Sequence, residues 1–451
     1  MWLSAIAEEE LGCILADEMG LGKTVQVIAL LCRQKEEGKG PSLIIAPATI
    51  LENWKREIAK FAPRLTAMIH RGSDRTGFPS DLRSIDITIT SYETVVRDLS
   101  LMEMLKWNIV VVDEAQAIKN PSAHRTEVIK QIPRRVAIAV TGTPLENHLS
   151  DLWSVTDFAI PNLLGDISTF RYTYTDAVEG AIAVEPVITP ILLRRRVAEV
   201  AGDLPSRIDV PQCIELTEEM AIQYETLRRE IIGRYGTKPS FGGLTKLRMF
   251  CTHPFLLEES DGDPAVHCSK YTRLTEILEE IFLNNEKVLI FTSYTKMIDL
   301  LVRDVANRFG VYTDFIDGRV NVEERQPKID RFGKQSGAAI LVLNPKAGGT
   351  GLNIVYANHV IHYNLEWNPA VEDQASARVY RHGQTLPVTI HRLYYLNTVE
   401  EIIDQRIRKK REMSEHAIIE HEGKPDDLGD IVRALEISPL LKEAAHDTER
   451  R

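Results

Sequence analysis

The chain predicts an α/β protein of two parallel-sheet lobes with a helical elaboration between them. Three observations carry that expectation. Short β-branched runs alternate with amphipathic stretches over the first 150 residues, the alternation lapses from about 151 to 285, and it then resumes to about 411. A chain of 451 residues has room for two or three domains, each with its own core.

In the first lobe, SLIIAP (42–47), DITITS (86–91), NIVVVDEA (108–115) and VAIAVTGTP (136–144) read as buried strands. Each ends in a small or polar cluster, so the loops gather at the carboxyl edge of the sheet, where ligands of such sheets bind. The helical patterns EEMAIQYETLRREIIGRY (218–235) and YTRLTEILEEIFL (271–283) dominate the middle, which reads as protrusions and a linker. KVLIFTSY (287–294), AAILVLNP (338–345), NHVIHYN (358–364) and VTIHRLYY (388–395) then build a second parallel sheet. The expected divisions are 1–150, 151–285, 286–411 and a tail over 412–451 with no assignable role.

Composition narrows the class. Apolar residues make up 44% and charged residues 26%, as in ordinary globular chains. No apolar run reaches the length of a membrane span, and MWLSAIAEEE lacks the basic start and apolar core of a signal peptide, so secretion and a membrane partner are not expected. Five cysteines without a CxxC pair fit buried thiols in a reducing, cytoplasmic setting. Cys251 and His253 in FCTHP have the look of metal ligands, but two ligands without a second pair read as packing. A net charge of -11 argues against coating nucleic acid by bulk attraction, though not against a local basic groove. The basic runs LLRRR (192–196) and QRIRKKR (405–411) read first as solvated faces.

The stretch ILADEMGLGKTVQV (14–27) nearly matches a phosphate-binding loop, except that Asp17 stands where the general pattern has its first glycine. Gly20 and Gly22, on either side of Leu21, let the backbone turn. Lys23 reaches terminal phosphates, and Thr24 holds magnesium as a helix begins over 23 to about 34. A second feature, VVVDEAQ, ends a strand in two acids. Asp113 is placed for magnesium and Glu114 for orienting or deprotonating a water. The third is WNPAVEDQASARVYRHGQ (367–384). Pro369 suits a first helical turn, and Gln374, Arg378 and Arg381 would then share one face, where the arginines neutralise charge on a transferring phosphate. The plainer reading of that helix is a solvent-exposed face of paired charges.

Read in order, LADEMGLGKTVQ, IIAPATILENWKREI, TSYETV, VVVDEAQAIKN, VTGTPLENHLSDLWS, ILLRRR, KVLIFTSY, LNPKAGGTGLN and EWNPAVEDQASARVYRHGQ resemble the motifs of the Swi/Snf family of DNA-translocating ATPases, within helicase superfamily two. The resemblance runs from 11 to about 410. It implies two RecA-like lobes and a DNA-dependent ATPase that uses ATP with magnesium and moves on double-stranded DNA to remodel or displace DNA-bound proteins. It also implies a monomeric core motor acting in a prokaryotic cytoplasm, on the nucleoid when bound. By the same resemblance the loop from Asp17 to Thr24 binds ATP, and Gln116, Thr141 and Thr143 couple hydrolysis to movement. Asn53, Trp54, Ser91, Tyr92, Lys346, Gly348, Gly349, Thr350 and Trp367 are implied to contact DNA. For Trp367 a core position is an equal reading.

Two departures stand out. The glutamine-containing segment that reads adenine in the family has no counterpart beyond Trp2 and Leu3, and the acidic motif ends in Gln116 where many relatives carry histidine. A strand-separating DNA or RNA helicase and a nucleotide-gated DNA-binding scaffold with little turnover remain as alternatives.

Overall fold

The computed structural model describes residues 1–73, 75–142, 148–176, 178–200, 204–235, 241–258, 262–346, 352, 354–381, 383–414 and 427–440. The chain divides into two compact units, one built mainly on Met1–Asp203 and the other mainly on Leu204–Gly349 and Asn353–Glu412.

The first unit is a seven-stranded sheet. Its strands are β1 (Cys13–Leu15), β2 (Ser42–Ala46), β3 (Ala67–His70), β4 (Ile87–Ser91), β5 (Trp107–Asp113), β6 (Arg134–Val140) and β7 (Leu192–Leu193). They lie in the order β3-β4-β2-β5-β6-β1-β7, and every pairing is parallel. Alternate residues of the same strands feed two separate cores. Ile14, Leu43, Ile45, Val110 and Val112 face one cluster, while Cys13, Leu15, Ile44, Val111 and Ile138 face the other. A sheet covered on both faces needs apolar residues at every position, which is why the central strands read as continuous runs.

Helices Lys23–Glu36 and Leu51–Phe61 supply Val27, Ile28, Leu31, Trp54 and Ile58 to one face, and helix Leu149–Ala159 supplies Leu152, Val155 and Phe158 to the other. That last helix ends so close to the start of β1 that a Cβ on Gly12 would lie 1.9 Å from the carbonyl oxygen of Ala159. Only glycine fits there.

The second unit is a six-stranded, wholly parallel sheet. Its strands are β8 (Arg207–Ile214), β9 (Lys287–Phe291), β10 (Tyr312–Ile316), β11 (Ala339–Leu343), β12 (His359–His362) and β13 (Val388–Tyr395), in the order β10-β11-β9-β12-β13-β8. Helices Glu218–Tyr235, Ser269–Leu283 and Thr295–Phe309 pack on it, with Tyr224, Tyr271, Leu274 and Leu301 in its core.

The stretch from 151 to 285, read as helical, therefore also holds two strands. β7 closes the first sheet and β8 closes the second. Both escaped the sequence reading because edge strands lack the buried run. β7 is two residues long, and β8 alternates half-buried with exposed positions and carries Pro211, which an edge tolerates. The basic run 405–411 is only in part a solvated face, with Gln405, Arg408 and Lys409 exposed. In helix Val399–Ser414, Arg406 pairs with Asp430, Arg408 with Asp404, and Arg411 with Asp373 and Glu372. The FCTHP segment packs: Cys251 is buried, and His253 accepts from the Phe255 N–H at 3.1 Å while its other ring nitrogen bonds the Pro264 carbonyl.

A buried ion pair fastens the second unit. Lys270 Nζ donates to both oxygens of Glu400 at 2.6 and 2.5 Å, and the rings of Tyr363 and Tyr395 flank the ammonium. Burial pushes the Glu400 carboxyl up and Lys270 opposes it. Lys270→Met leaves a carboxylate without its cation and is expected to destabilise this unit by about 3–5 kcal/mol. Lys270→Met with Glu400→Leu together should cost far less; urea unfolding of the two variants measures the difference.

Candidate nucleotide site

The loop after β1 turns at Gly20 and Gly22, with φ of 95° and 72°. Gly22 is the N-cap of helix Lys23–Glu36, so the strand, the left-handed turn and the helix follow in immediate succession. Lys23 Nζ folds back onto the loop, donating to the carbonyl oxygens of Asp17 at 2.6 Å and Glu18 at 3.3 Å. Burial lowers its pKa, while Glu114, Asp113, Asp17 and Glu18 act to raise it. Leu21 accepts at its carbonyl from Gln26 Nε2, and Thr24 lies half-buried in the first helical turn.

Asp17 is fully buried, with 0% exposure. Its carboxylate receives the Arg195 N–H at 3.0 Å, Arg195 Nε at 3.1 Å, Arg195 Nη2 at 2.5 Å and Gln26 Nε2 at 3.0 Å. The Asp17 carboxylate, expected at the nucleotide, is here occupied by Arg195 and Gln26. The basic run 192–196 was misjudged, since Leu192–Leu193 is β7 and Arg195 is the partner of Asp17. Neither residue identity nor spacing signals a pair 178 positions apart.

At the end of β5, Asp113 accepts from Trp54 Nε1 at 2.8 Å and from the Glu114 N–H at 2.9 Å. Burial raises its pKa, and these bonds together with Lys23 counter the rise. Tyr92 donates its hydroxyl to the Asp113 carbonyl at 2.5 Å. Glu114 holds a left-handed backbone, φ 53°, which is uncommon outside glycine and asparagine. Gln116 Nε2 donates to Glu114 Oε2 at 2.6 Å, and Thr141 Oγ1 donates to Gln116 Oε1 at 3.2 Å. A continuous chain thus runs from the end of β6 to the second acid. Lys23, Asp113, Glu114, Gln116 and Thr141 are brought to one edge of one sheet; Thr143 lies outside the described residues.

The residues expected along DNA divide differently. Trp54, at 1% exposure, and Tyr92 are buried and directed at the acidic motif, so they buttress Asp113 and do not form an open surface. Ser91 is buried and caps helix Tyr92–Arg97 by accepting from the Thr94 N–H. Asn53 is half-buried and Lys346 exposed. Gly348, Gly349 and Thr350 lie outside the described residues. Trp367 packs partly against the core of the second unit, with the Arg406 guanidinium 5.0 Å above its ring.

In the second unit, Asn368 caps a helix that begins at Pro369 and ends at Ser376. The single face drawn through Gln374, Arg378 and Arg381 does not exist as helix. Arg378 and Arg381 lie in the turns that follow, where the Arg378 N–H bonds the Ala375 carbonyl and the Arg378 carbonyl receives the Ile354 N–H. Arg378 is buried, lies 5.8 Å from the Phe291 ring and donates to the Pro345 carbonyl; Gln374 and Arg381 are half-buried. Glu372 anchors this helix by accepting the Glu366 N–H at 3.0 Å.

Two family models match the chain, and the first extends past the first unit into the second. The SNF2-related domain family matches residues 1–256, and the helicase conserved C-terminal domain matches 269–383. The chain is similar to the putative ATP-dependent helicase/translocase YwqA of Bacillus subtilis, 37% identical over 92% of this chain and 48% of that protein. It is similar to the ATP-dependent DNA helicase DDM1 of Arabidopsis thaliana, 32% identical over 93% of this chain and 60% of that one. Among solved structures it is similar to the Sulfolobus solfataricus SWI2/SNF2 ATPase core in complex with dsDNA, with 31% identity, 97% and 93% coverage and a TM-score of 0.47. The chain spans about half the length of the curated relatives it matches. Among the described residues no helix is long and apolar enough to cross a membrane.

Burial pushes the Glu372 carboxyl from 4.5 up to about 7, against the pull of Arg411. A raised carboxyl favours the fold while protonated, so its contribution is full below about pH 4.5 and is lost as pH rises through 7. Glu372→Gln should remove that slope, on the order of 3 kcal/mol between those limits, in urea unfolding at pH 5 and pH 8.

Proposed function

The chain belongs to the SNF2-related family, and from that premise we propose that it is an ATP-hydrolysing motor that moves along double-stranded DNA and remodels or displaces proteins bound there. The observation that carries the reading is the meeting, at one sheet edge, of a glycine-turned loop bearing Lys23 with the Asp113–Glu114 pair. Phosphoryl transfer asks for little more than positioning and charge, and this edge offers both. Names among the relatives, a helicase/translocase and a DNA helicase, support nucleic acid as the track.

Each residue has a definable task. Gly20 and Gly22 let the loop present its backbone N–H groups to phosphate oxygens, and Lys23 exchanges the carbonyls of Asp17 and Glu18 for the terminal phosphates. Thr24 and Asp113 are hard oxygen donors that suit magnesium. Asp113 spends one lone pair of each oxygen on Trp54 and the Glu114 N–H, which leaves two for a cation or its water shell. Magnesium there supplies charge neutralisation on the phosphates.

Glu114 takes the proton of the attacking water as its oxygen bonds the γ-phosphorus and the bridging oxygen leaves with ADP. Gln116 aims that carboxylate, and Thr141 aims Gln116, so a shift at the end of β6 reaches the water-activating group.

Asn53 and Lys346, both with exposed surface, are proposed to meet the DNA backbone. With a net charge of -11 the grip depends on a few local cations, so it is modest and salt-sensitive. The motor acts as a monomer, in a prokaryotic cytoplasm on the nucleoid.

The test is ATP turnover with and without linear duplex. Duplex should raise the rate several-fold, Lys23→Ala should abolish it, and Glu114→Gln should lower it by about 10²-fold or more with nucleotide still bound. Turnover indifferent to DNA contradicts the proposal, and efficient strand displacement on a tailed duplex reassigns the chain to strand separation. Trp54→Phe, which removes the N–H to Asp113 and leaves a small cavity in the core, should slow turnover by about tenfold without unfolding the unit.

A further inference from the structure

Arg195 has no part in the proposed chemistry, yet it is fastened to the phosphate loop and its helix through Asp17, Glu18 and Gln26. Beyond β7 the chain continues alongside the loop: the Ala16 N–H donates to the Leu193 carbonyl at 2.8 Å and the Glu18 N–H to the Arg195 carbonyl at 2.9 Å. In the other direction, the Arg195 N–H donates to Asp17 Oδ1 at 3.0 Å and the Val197 N–H to Glu18 Oε2 at 2.6 Å. The guanidinium closes the ladder with its paired contacts to Asp17 and a further bond from Nη2 to Gln26 Oε1 at 3.0 Å. Gln26 belongs to the helix that Lys23 opens, so one guanidinium holds both ends of the loop.

We propose that Arg195 is a positioning residue for ATP. It forms a strap that shapes the phosphate loop through Asp17, doing with an ion pair what the first glycine of other phosphate loops does with backbone freedom. This rests on the ATP reading of the site. The line of force is short: the Asp17 carboxylate is locked by Arg195, and the Asp17 carbonyl holds Lys23 Nζ. Arg195 itself need not touch nucleotide. Its side chain is 40% exposed while Asp17 is fully buried, so the two are not equivalent. Losing Arg195 strands a buried carboxylate, whereas losing the charge on Asp17 leaves an arginine that water can serve. The strap also lies shortly before Leu204, where the second unit begins, so the loop is tied to the chain segment that leads there.

The experiment is steady-state ATP turnover with saturating duplex. Arg195→Met is expected to raise the KM for ATP about tenfold with kcat within about twofold, because a loop that must be ordered on binding weakens affinity more than chemistry. Asp17→Asn should raise KM less, and Asp17→Asn with Arg195→Met should be no worse than Arg195→Met alone. Arg195→Lys keeps the charge but not the paired contacts and should fall between. It serves as the readout if Arg195→Met does not fold, with a raised KM supporting the strap and an unchanged one overturning it. A wild-type KM in Arg195→Met, a loss confined to kcat, or additive effects in the double variant would each overturn the proposal. Wild-type protein that neither binds nor hydrolyses ATP refutes the functional reading instead, so the two failures are distinct.

Discussion

A carboxylate sealed from water is costly unless it is met by a cation and filled with hydrogen bonds, and Asp17 is met by both. Much of the first unit's business edge depends on that one requirement. To satisfy it, the chain returns to lay β7 beside β1 and deliver Arg195, 178 positions after Asp17. The loop is then bounded by fixed groups on both sides, and Lys23 has somewhere defined to rest. The glycines at 20 and 22 supply the turn, but a turn alone does not choose a shape. The ion pair does so, and it works at the price of being breakable by one substitution.

The acidic motif shows the same economy of parts. Trp54 comes from a helix whose other buried residues, Leu51 and Ile58, are plain core, yet its indole N–H ends on Asp113. Tyr92 holds the backbone of the same acid from another helix. Two aromatic residues thereby fix this acid from apolar surroundings, one at its carboxylate and one at its backbone carbonyl, where each hydrogen bond is worth more than in water. The second unit uses buried charge as a fastener instead. Lys270 with Glu400 locks its core, and Arg411 joins the last long helix to the one that opens at Pro369.

What was readable in the sequence follows from burial. Strands with both faces covered, such as Val110–Val112 and Ile340–Val342, announce themselves as apolar runs, and their order implied two parallel sheets. The edge strands did not: β7 is two residues long, β3 and β10 are mostly half-buried, and β8 mixes half-buried with exposed positions, so the buried run disappears. Among the candidate site residues, Lys23, Asp113 and Glu114 stood out from residue type and local spacing, while Gln116 came only from the family resemblance. Residues whose task depends on a distant partner did not stand out. Trp54 and Tyr92 were implied by the resemblance to contact DNA, Arg195 read as part of a solvated charge run, and Arg378 as a helix position, since the turn after Ser376 has no proline or glycine to mark it.

The account's central claim is that the phosphate loop is shaped in advance by the Asp17–Arg195 pair and that Lys23 is the group that moves. A crystal structure with magnesium and a non-hydrolysable ATP analogue tests it directly. Lys23 Nζ should leave the Asp17 carbonyl for a phosphate oxygen while Arg195 stays within hydrogen-bond distance of the Asp17 carboxylate. Arg195 released from Asp17 and bonded to phosphate, or Lys23 still held by the carbonyls of Asp17 and Glu18, would contradict it.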